Sequence, residues 1–367
     1  MVDVSTDGEP GGPSADAFAE QLFGSAVGMF DLLSVHIGDR LGLYRALERG
    51  PATAAELATR AGVDRRSARE WLEHQATSSL LRVDDPSAAE EDRRYALPPE
   101  HATVLLDPES PYSMMPLVSA VVACAAALPQ VVDGFRSGAG VAWSSYGAGM
   151  IEAQGDFNRP WLVGSLGSEH LPSITDVHAR LSADPPARVA DVACGVGWAA
   201  ISIAKAYPNV VVHGIDLDVT SIALARTHAE RAGVAGRVTF DVMDAGDPSL
   251  EGSFDLVIVI EAIHDLSRPV DVLAAIRRML APGGTLLVAD EATEEAFTAP
   301  ASEMERMFYG FSVLCCLPAT LADPPSEGTG TVMRSSTLRS YAERAGFSHV
   351  QVLPNDLGFQ RLYRLDP

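Results

Sequence analysis

Four short apolar runs in the second half of the chain each end at an acid. Asp191 closes Val189-Ala190-Asp191, and Asp216 closes Val210-Val211-Val212-His213-Gly214-Ile215-Asp216. Asp244 follows Arg237-Val238-Thr239-Phe240-Asp241-Val242-Met243, and Glu261 follows Phe254-Asp255-Leu256-Val257-Ile258-Val259-Ile260. Runs of this length and β-branched content read as buried strands. An acid at the carboxyl end of the second strand of a doubly wound sheet can accept both hydroxyls of a ribose. Between the first two acids lie Gly195 and Gly197, which open Trp198-Ala199-Ala200-Ile201-Ser202-Ile203-Ala204. Glycine allows a sharp strand-to-helix turn and close approach of a ligand, and the helix behind it offers unpaired N–H groups and a positive dipole end. A glycine turn alone serves many βα connections for geometry only. Repeated acids at neighbouring strand ends turn the reading toward a nucleotide-type pocket.

The elements that must hold these residues alternate strand and helix from about Arg188 onward, which predicts an α/β fold with a mostly parallel, Rossmann-like sheet. Pro282-Gly283-Gly284 leads into a fifth strand, Thr285 to Asp290, and His349–Leu353 with Phe359–Leu365 make a closing hairpin. Asp290-Glu291 and Glu294-Glu295 form an acidic cluster that reads first as a solvated loop and second as a cation site. Met304 to Leu317 reads as one apolar helix carrying Phe308, Tyr309, Phe311, Cys315 and Cys316.

The N-terminal part is built differently. Residues 1–15 are rich in Gly, Pro, Ser and Asp and predict a disordered leader. From Phe18 to Leu47 the apolar positions are too many for one narrow stripe, so helices packed on a partner are expected. Thr53 and Glu56 have capping-box spacing, Gly62 ends that helix, and a second helix runs from about Arg65 to Ser79. Leu80–Val83 and Arg94–Leu97 add a hairpin, so residues 16–110 predict a mainly α-helical winged helix. DNA reading would use Arg60, Arg65, Arg66 and Arg69, but Asp64, Glu70 and Glu73 share that region, and dimerisation is the favoured role. Residues 111–185 form a helical connector with Trp143, Tyr146, Phe157, Arg159, Trp161 and His170. Its aromatics read first as interdomain core and second as a substrate wall, and His170 first as a satisfied structural histidine. Residues 186–367 form the ligand-binding domain.

The formal net charge of −22 excludes a broad phosphate-binding surface, because nucleic-acid affinity rests on Lys and Arg, so no nucleic-acid partner is expected. Cys124, Cys194, Cys315 and Cys316 have neither zinc-site nor disulfide-framework spacing. No metal is expected, and a reducing, cytoplasmic location is. The N-terminus lacks signal-peptide character, and no uninterrupted apolar run reaches spanning length, so no membrane is expected.

From about Arg188 to the C-terminus the chain resembles the class I S-adenosyl-L-methionine (SAM)-dependent methyltransferases. The resemblance implies that Asp191 and the Gly195–Gly197 turn sit beside the amino-acid part of SAM, that Asp216 binds the ribose, and that Asp244 with Ala245 flanks the adenine. Cys194, Trp198, Leu217 and Glu261 complete the expected cofactor contacts. The sequence departs from the family where Ala193 and Cys194 precede Gly195 in a motif commonly richer in glycine. A dehydrogenase, the rival reading, would want a third glycine at Ala200, a place that alanine can also fill, so spacing does not exclude it; the Pro282-Gly283-Gly284 turn with its strand is awkward for a dehydrogenase and decides for SAM.

Similar winged-helix modules precede the SAM domain in small-molecule O-methyltransferases of plants and actinobacteria. There they dimerise and wall the substrate site, which implies a homodimer through the N-terminal helices. Ala262-Ile263-His264-Asp265-Leu266 resembles their His-Asp-Trp segment, with Leu266 in place of Trp. This implies His264 as general base and Asp265 beside it, for O-methylation of a small, secondary-metabolite acceptor. The alternative for His264 is a cap on the following helix. Trp143, Tyr146, Phe157, Arg159, His170, Phe308 and Tyr309 are the candidate acceptor contacts. C- or N-methylation, a non-methylating rearrangement on the same fold, and a SAM-sensing winged-helix regulator stay open.

Overall fold

The computed structural model describes residues 14–367. The expected leader therefore falls outside the described residues as far as residue 13, and Ser14 already caps the first helix, its Oγ accepting the Ala17 N–H at 3.2 Å. The chain forms two compact units that divide between Asp107 and Pro108.

The first unit contains α1 (Ala15–Arg40), α2 (Leu43–Leu47), α3 (Ala54–Ala61), α4 (Arg65–Thr77), β1 (Arg82–Val83), β2 (Tyr95–Ala96) and α5 (Pro99–Leu105). The capping box forms: Thr53 Oγ1 accepts the Glu56 N–H at 3.3 Å, and the Thr53 N–H donates to Glu56 Oε2 at 3.0 Å. Gly62 then ends α3 in the left-handed region at φ 70°, where a side chain would be strained. Tyr44, Leu57, Leu72 and Tyr95 make the core of this unit, and β1 pairs antiparallel with β2 as the wing. Arg66 pairs with Glu70, Arg69 with Glu90, and Arg60 donates to the Gly50 carbonyl at 2.7 Å. Helix α1 leaves Phe18, Leu22, Phe23 and Phe30 exposed.

The second unit opens with helices α6 (Met115–Ser137), α7 (Ala148–Trp161), α8 (Leu171–Ser173) and α9 (Thr175–Ser182), with π-helical turns at Leu162–His170 between α7 and α8. Helix α6 is long and apolar enough by composition to cross a membrane, which reading for uninterrupted apolar runs missed. Its Ala120, Cys124, Ala127 and Val131 pack in a core with Tyr146, Met150, Ala153 and Cys315. The sheet follows: β3 (Arg188–Val192), α10 (Trp198–Ala206), β4 (Val211–Asp216), α11 (Val219–Arg231), β5 (Val238–Val242), β6 (Phe254–Ile260), α12 (Pro269–Met279) and β7 (Leu280–Glu291). The chain ends with α13 (Glu303–Phe311), α14 (Leu317–Leu321), α15 (Ser335–Arg344), β8 (His349–Val352) and β9 (Gln360–Asp366). In place of one helix from Met304 to Leu317, α13 and α14 are joined by π-helical turns over Ser312–Cys316.

The seven strands lie in the order β5-β4-β3-β6-β7-β9-β8, parallel except for β9, which runs antiparallel to both neighbours. Apolar side chains fill both faces: Val189, Val212, Leu256 and Leu287 pack in one layer, and Ala190, Ile215, Val257 and Val288 in the other. The strand order reverses between β3 and β6, and the cleft beyond the carboxyl ends at such a switch point is where open α/β sheets bind ligands.

Candidate functional site

The β3–α10 turn passes through the left-handed region at Ala193, Gly195 and Gly197. Gly197 lies at φ 84°, and a Cβ there would come within 2.5 Å of the Phe240 ring. Gly195 has φ 50°, and Ala193, where the resemblance expects glycine, takes φ 55° with a side chain in place. Gly195 N–H donates to Asp216 Oδ2 at 2.9 Å, and Asp218 N–H donates to Asp216 Oδ1 at 2.9 Å. The turn thus orients the carboxylate of the next strand. Asp191, 2% exposed, accepts the Ala200 N–H through Oδ2 at 3.1 Å. Burial, only partly offset by that hydrogen bond, pushes its carboxyl up to about 7, and burial likewise raises the Asp216 carboxyl and the Cys194 thiol.

The turn and these acids line a cleft of about 340 Å³. Asp191, Cys194, Gly195, Gly197, Trp198, Asp216, Leu217 and Glu261 all face it, and so do Trp143 and Asp265. Asp244 and Ala245 do not line it. They lie past the end of β5, where the Asp244 carboxylate turns back on its own loop and accepts the Gly246 N–H at 2.6 Å.

Glu261 sits just past β6 at φ 47°. Its carboxylate accepts N–H groups from Gln154 at 2.9 Å, Asn158 at 2.6 Å and Gln360 at 2.6 Å. Three neutral donors satisfy this buried acid and fix its direction without neutralising it.

His264, 2% exposed, lies in the turn that follows. Its Nδ1 stands 2.7 Å from Asp290 Oδ1 and 3.0 Å from Glu291 Oε2, and its Nε2 is 3.3 Å from Asp265 Oδ1. Burial lowers the imidazole, but the charges of Asp265, Glu291 and Asp290 outweigh it and hold His264 well above its ordinary range. Burial raises Asp265 and Glu291, whereas the charge and hydrogen bond of His264 bring Asp290 below the usual carboxylate range against the same burial. The expectation of a solvated acidic loop is therefore corrected in part: Glu294 and Glu295 are exposed, but Asp290 and Glu291 are buried against His264. Strand β7 runs in the middle of the sheet, and its last two residues end under the His264 turn.

A second, smaller cavity, of about 50 Å³, has Trp143, Phe157, Phe308, Phe311 and Phe359 in its wall together with Glu261, His264, Asp265 and Glu291. It shares Trp143, Gln154, Glu261 and Asp265 with the first cleft, so the two meet at those residues. Of the candidate acceptor contacts, Trp143, Phe157 and Phe308 line it and the other four do not. Tyr146 is packed behind it and donates to the Leu314 carbonyl at 2.8 Å. Arg159 stacks over Trp198 at 4.3 Å and pairs with Glu109. His170 lies beside Trp161 and 3.0 Å from Ser165 Oγ, the satisfied histidine of the first reading. The Tyr309 hydroxyl accepts from Arg334 at 3.2 Å.

Residues 183–334 match the methyltransferase domain family, and residues 29–106 match the Rv2258c-like winged HTH domain. The chain joins a winged helix-turn-helix domain to a methyltransferase domain. Among curated proteins, the chain is 36% identical over 104 residues to the 27-O-demethylrifamycin SV methyltransferase of Amycolatopsis mediterranei, covering 28% of this chain and 38% of that one. It is 33% identical over 104 residues to the ajmaline N-methyltransferase of Rauvolfia serpentina, covering 28% and 35%. The matched stretches span from 24% to 51% of the length of such relatives. Among solved structures, the mitomycin 7-O-methyltransferase MmcR superposes with a TM-score of 0.66 at 22% identity, over 97% of this chain and 99% of that one. Human N-acetylserotonin methyltransferase in complex with SAM gives 0.68 at 18%, over 97% and 99%. PigF with SAH gives 0.72 at 18%, over 97% and 100%. At these identities the likeness is one of fold.

Within the methyltransferase domain and the helices before it, reading the sequence missed Gln154, Asn158 and Gln360 around Glu261 and the pairing of Asp290 and Glu291 with His264. The only signal for the latter pair was two acids ending an otherwise apolar strand.

Proposed function

We propose that the chain is a SAM-dependent methyltransferase acting on a small-molecule acceptor of secondary metabolism, with His264 as general base for O-methylation. The observation that carries this reading is the junction of the two cavities, a glycine-turn cleft and an aromatic chamber, at Glu261 and Asp265 beside His264. The cleft fits the cofactor: Asp216 is a buried carboxylate oriented by two backbone donors, and the first turn of α10 offers its N–H groups. SAM, when bound, supplies an electrophilic methyl on a sulfonium.

The chain's own residues do the rest. Asp216 takes the ribose hydroxyls, and Trp143, Phe157 and Phe308 orient an apolar acceptor and exclude water. With Nδ1–H directed to Asp290, neutral His264 keeps the lone pair on Nε2, on the side of Asp265, where it accepts the proton of an acceptor hydroxyl. Asp290 stabilises the resulting imidazolium. The exposed apolar residues of α1 support the proposal of a homodimer through the N-terminal helices, and four free cysteines fit a reducing cytoplasm.

Calorimetric titration with S-adenosylhomocysteine (SAH) tests the cofactor assignment. A screen of phenols and hydroxylated natural products against labelled SAM then tests the reaction. No SAH binding refutes the reading. SAH binding with turnover of hydroxyl acceptors, lost in His264→Ala, supports it in full.

A further inference from the structure

The two edges of the His264 ring meet different partners. Nδ1 lies 2.7 Å from Asp290 Oδ1, and Nε2 faces Asp265 Oδ1 at 3.3 Å. The second separation exceeds the roughly 2.7–2.9 Å of a charge-assisted hydrogen bond, and Asp265 Oδ1 is buried without a hydrogen-bond partner. Two atoms with lone pairs thus stand side by side with no hydrogen bond joining them.

Cys316, at the end of the π-helical turns between α13 and α14, completes a set of three. One ligand atom from each of His264, Asp265 and Cys316 lies within 4.8 Å of the other two, and all three residues line the aromatic cavity. Imidazole nitrogen, thiolate sulfur and carboxylate oxygen are the ligand types of zinc, and the thiolate disfavours Mg²⁺ and Ca²⁺, which take oxygen. Zinc bonds to N and O of about 2.0–2.1 Å in a tetrahedron put neighbouring ligand atoms about 3.3 Å apart, which is the separation of Nε2 from Asp265 Oδ1. Asp290 on Nδ1 is the support that zinc-ligating imidazoles ordinarily carry, because it fixes the tautomer that leaves Nε2 free. Three protein ligands leave a fourth position, which opens on a cavity of about 50 Å³, room for a coordinated water. Thr331, 2% exposed, lines the same cavity with its Oγ1 unmet and offers that water a partner.

We infer that His264 Nε2, Asp265 Oδ1 and Cys316 Sγ form a site for a thiophilic divalent cation of the zinc class, and that the bound ion withholds Nε2 from the acceptor and so inhibits methyl transfer. The site stands on the ligand geometry, whereas the inhibition rests on the reading of His264 as general base. Binding forms bonds from the ion to Nε2, Sγ and Oδ1 and releases the thiol proton, with any proton on Nε2 or the carboxyl, to solvent. The sequence does not announce this set, because its members come from two distant segments of the chain.

The test is titration of the full chain, free of thiol reductants, with Zn²⁺ by calorimetry and with Co²⁺ by absorption. The inference expects binding at micromolar or lower Zn²⁺, indifferent to excess Mg²⁺, and a thiolate-to-cobalt charge-transfer band. Cys316→Ser should lose both while its SAH affinity stays near wild type, since Cys316 lies outside the cofactor cleft. Cys124→Ser should keep both, because that sulfur packs in the core beside Cys315. Asp290→Asn should weaken Zn²⁺ by about tenfold to a hundredfold. Absence of Zn²⁺ binding, a cobalt complex of the unaltered chain without the thiolate band, or a site that survives Cys316→Ser overturns the assignment. Where His264→Ala abolishes turnover, undiminished turnover with the site filled overturns the inhibition. Failure of SAH to bind, or a His264→Ala enzyme that keeps its turnover, defeats the methyltransferase or general-base reading instead, and the metal titration still decides the site.

Discussion

The Asp216 carboxylate and the Gly195 N–H, 2.9 Å apart, tie the end of β4 to the glycine turn after β3. One contact therefore sets both the shape of the turn and the direction of the acid that would meet a ribose. Asp216→Ala should weaken SAH binding by about 2 kcal/mol, the worth of a charge-assisted bidentate contact. Isothermal titration checks this, and unchanged affinity would remove Asp216 from the ribose site.

Gly197 offers a steric test of the same turn. A Cβ there would lie 2.5 Å from the Phe240 ring, on backbone at φ 84°. Gly197→Ala should cost about 1–3 kcal/mol of stability from strain and overpacking, with a matching loss of SAH affinity as the turn shifts. Gly195→Ala, at φ 50° but with open space around the added Cβ, should cost less. Thermal melts of the two variants should fall in that order.

Asp191 should give the cofactor-free protein a measurable pH dependence. Its folded carboxyl is raised to about 7, against about 3.9 when unfolded, so the folded state binds the proton more tightly. The protonated acid favours folding fully below the unfolded value, and that contribution is lost as pH rises through about 7. The loss is on the order of a few kcal/mol at pH 8. Asp191→Asn keeps an acceptor for the Ala200 N–H and removes the ionisation. The variant should melt several degrees above wild type at pH 8, with the gap closing toward pH 4. A gap independent of pH would mean that Asp191 does not titrate in this range.

How much of this was legible in the sequence depends on range. Asp191, Gly195, Gly197 and Asp216 are recognisable because each sits at the end of a local strand pattern or in the turn after it, and the topology that gathers strand ends is common to doubly wound sheets. The winged helix was legible for the same reason: Thr53, Glu56 and Gly62 are local signals. Asp244 shows the limit, since strand periodicity places the end of β5 but not the path of the loop beyond it. Gln154, Asn158 and Gln360 reach Glu261 from α7 and β9, about a hundred residues away on either side, and carboxamides on helices or edge strands carry no pattern of their own. Asp290 and Glu291 were misread because adjacent acids ordinarily mark solvent, and only His264, 26 residues earlier, makes their burial tolerable.

That pairing yields the sharpest test of mechanism. A general base must be neutral to act, and Asp265, Glu291 and Asp290 hold His264 protonated to higher pH than an ordinary imidazole, whose value is about 6.5. Turnover of an accepted hydroxyl substrate should therefore rise with pH along a limb displaced to the alkaline side of that value. His264→Ala should lose on the order of a hundredfold to ten-thousandfold in kcat while keeping its affinity for SAH, because His264 does not line the cofactor cleft. Asp290→Asn acts through the histidine. It retains an oxygen for the Nδ1–H but withdraws the charge, so kcat should fall and the rising limb should move to lower pH, a shift that a merely structural residue would not cause. A His264→Ala enzyme with near-wild-type turnover would take the base out of the reaction and leave alignment of the acceptor with the methyl group as the whole of catalysis.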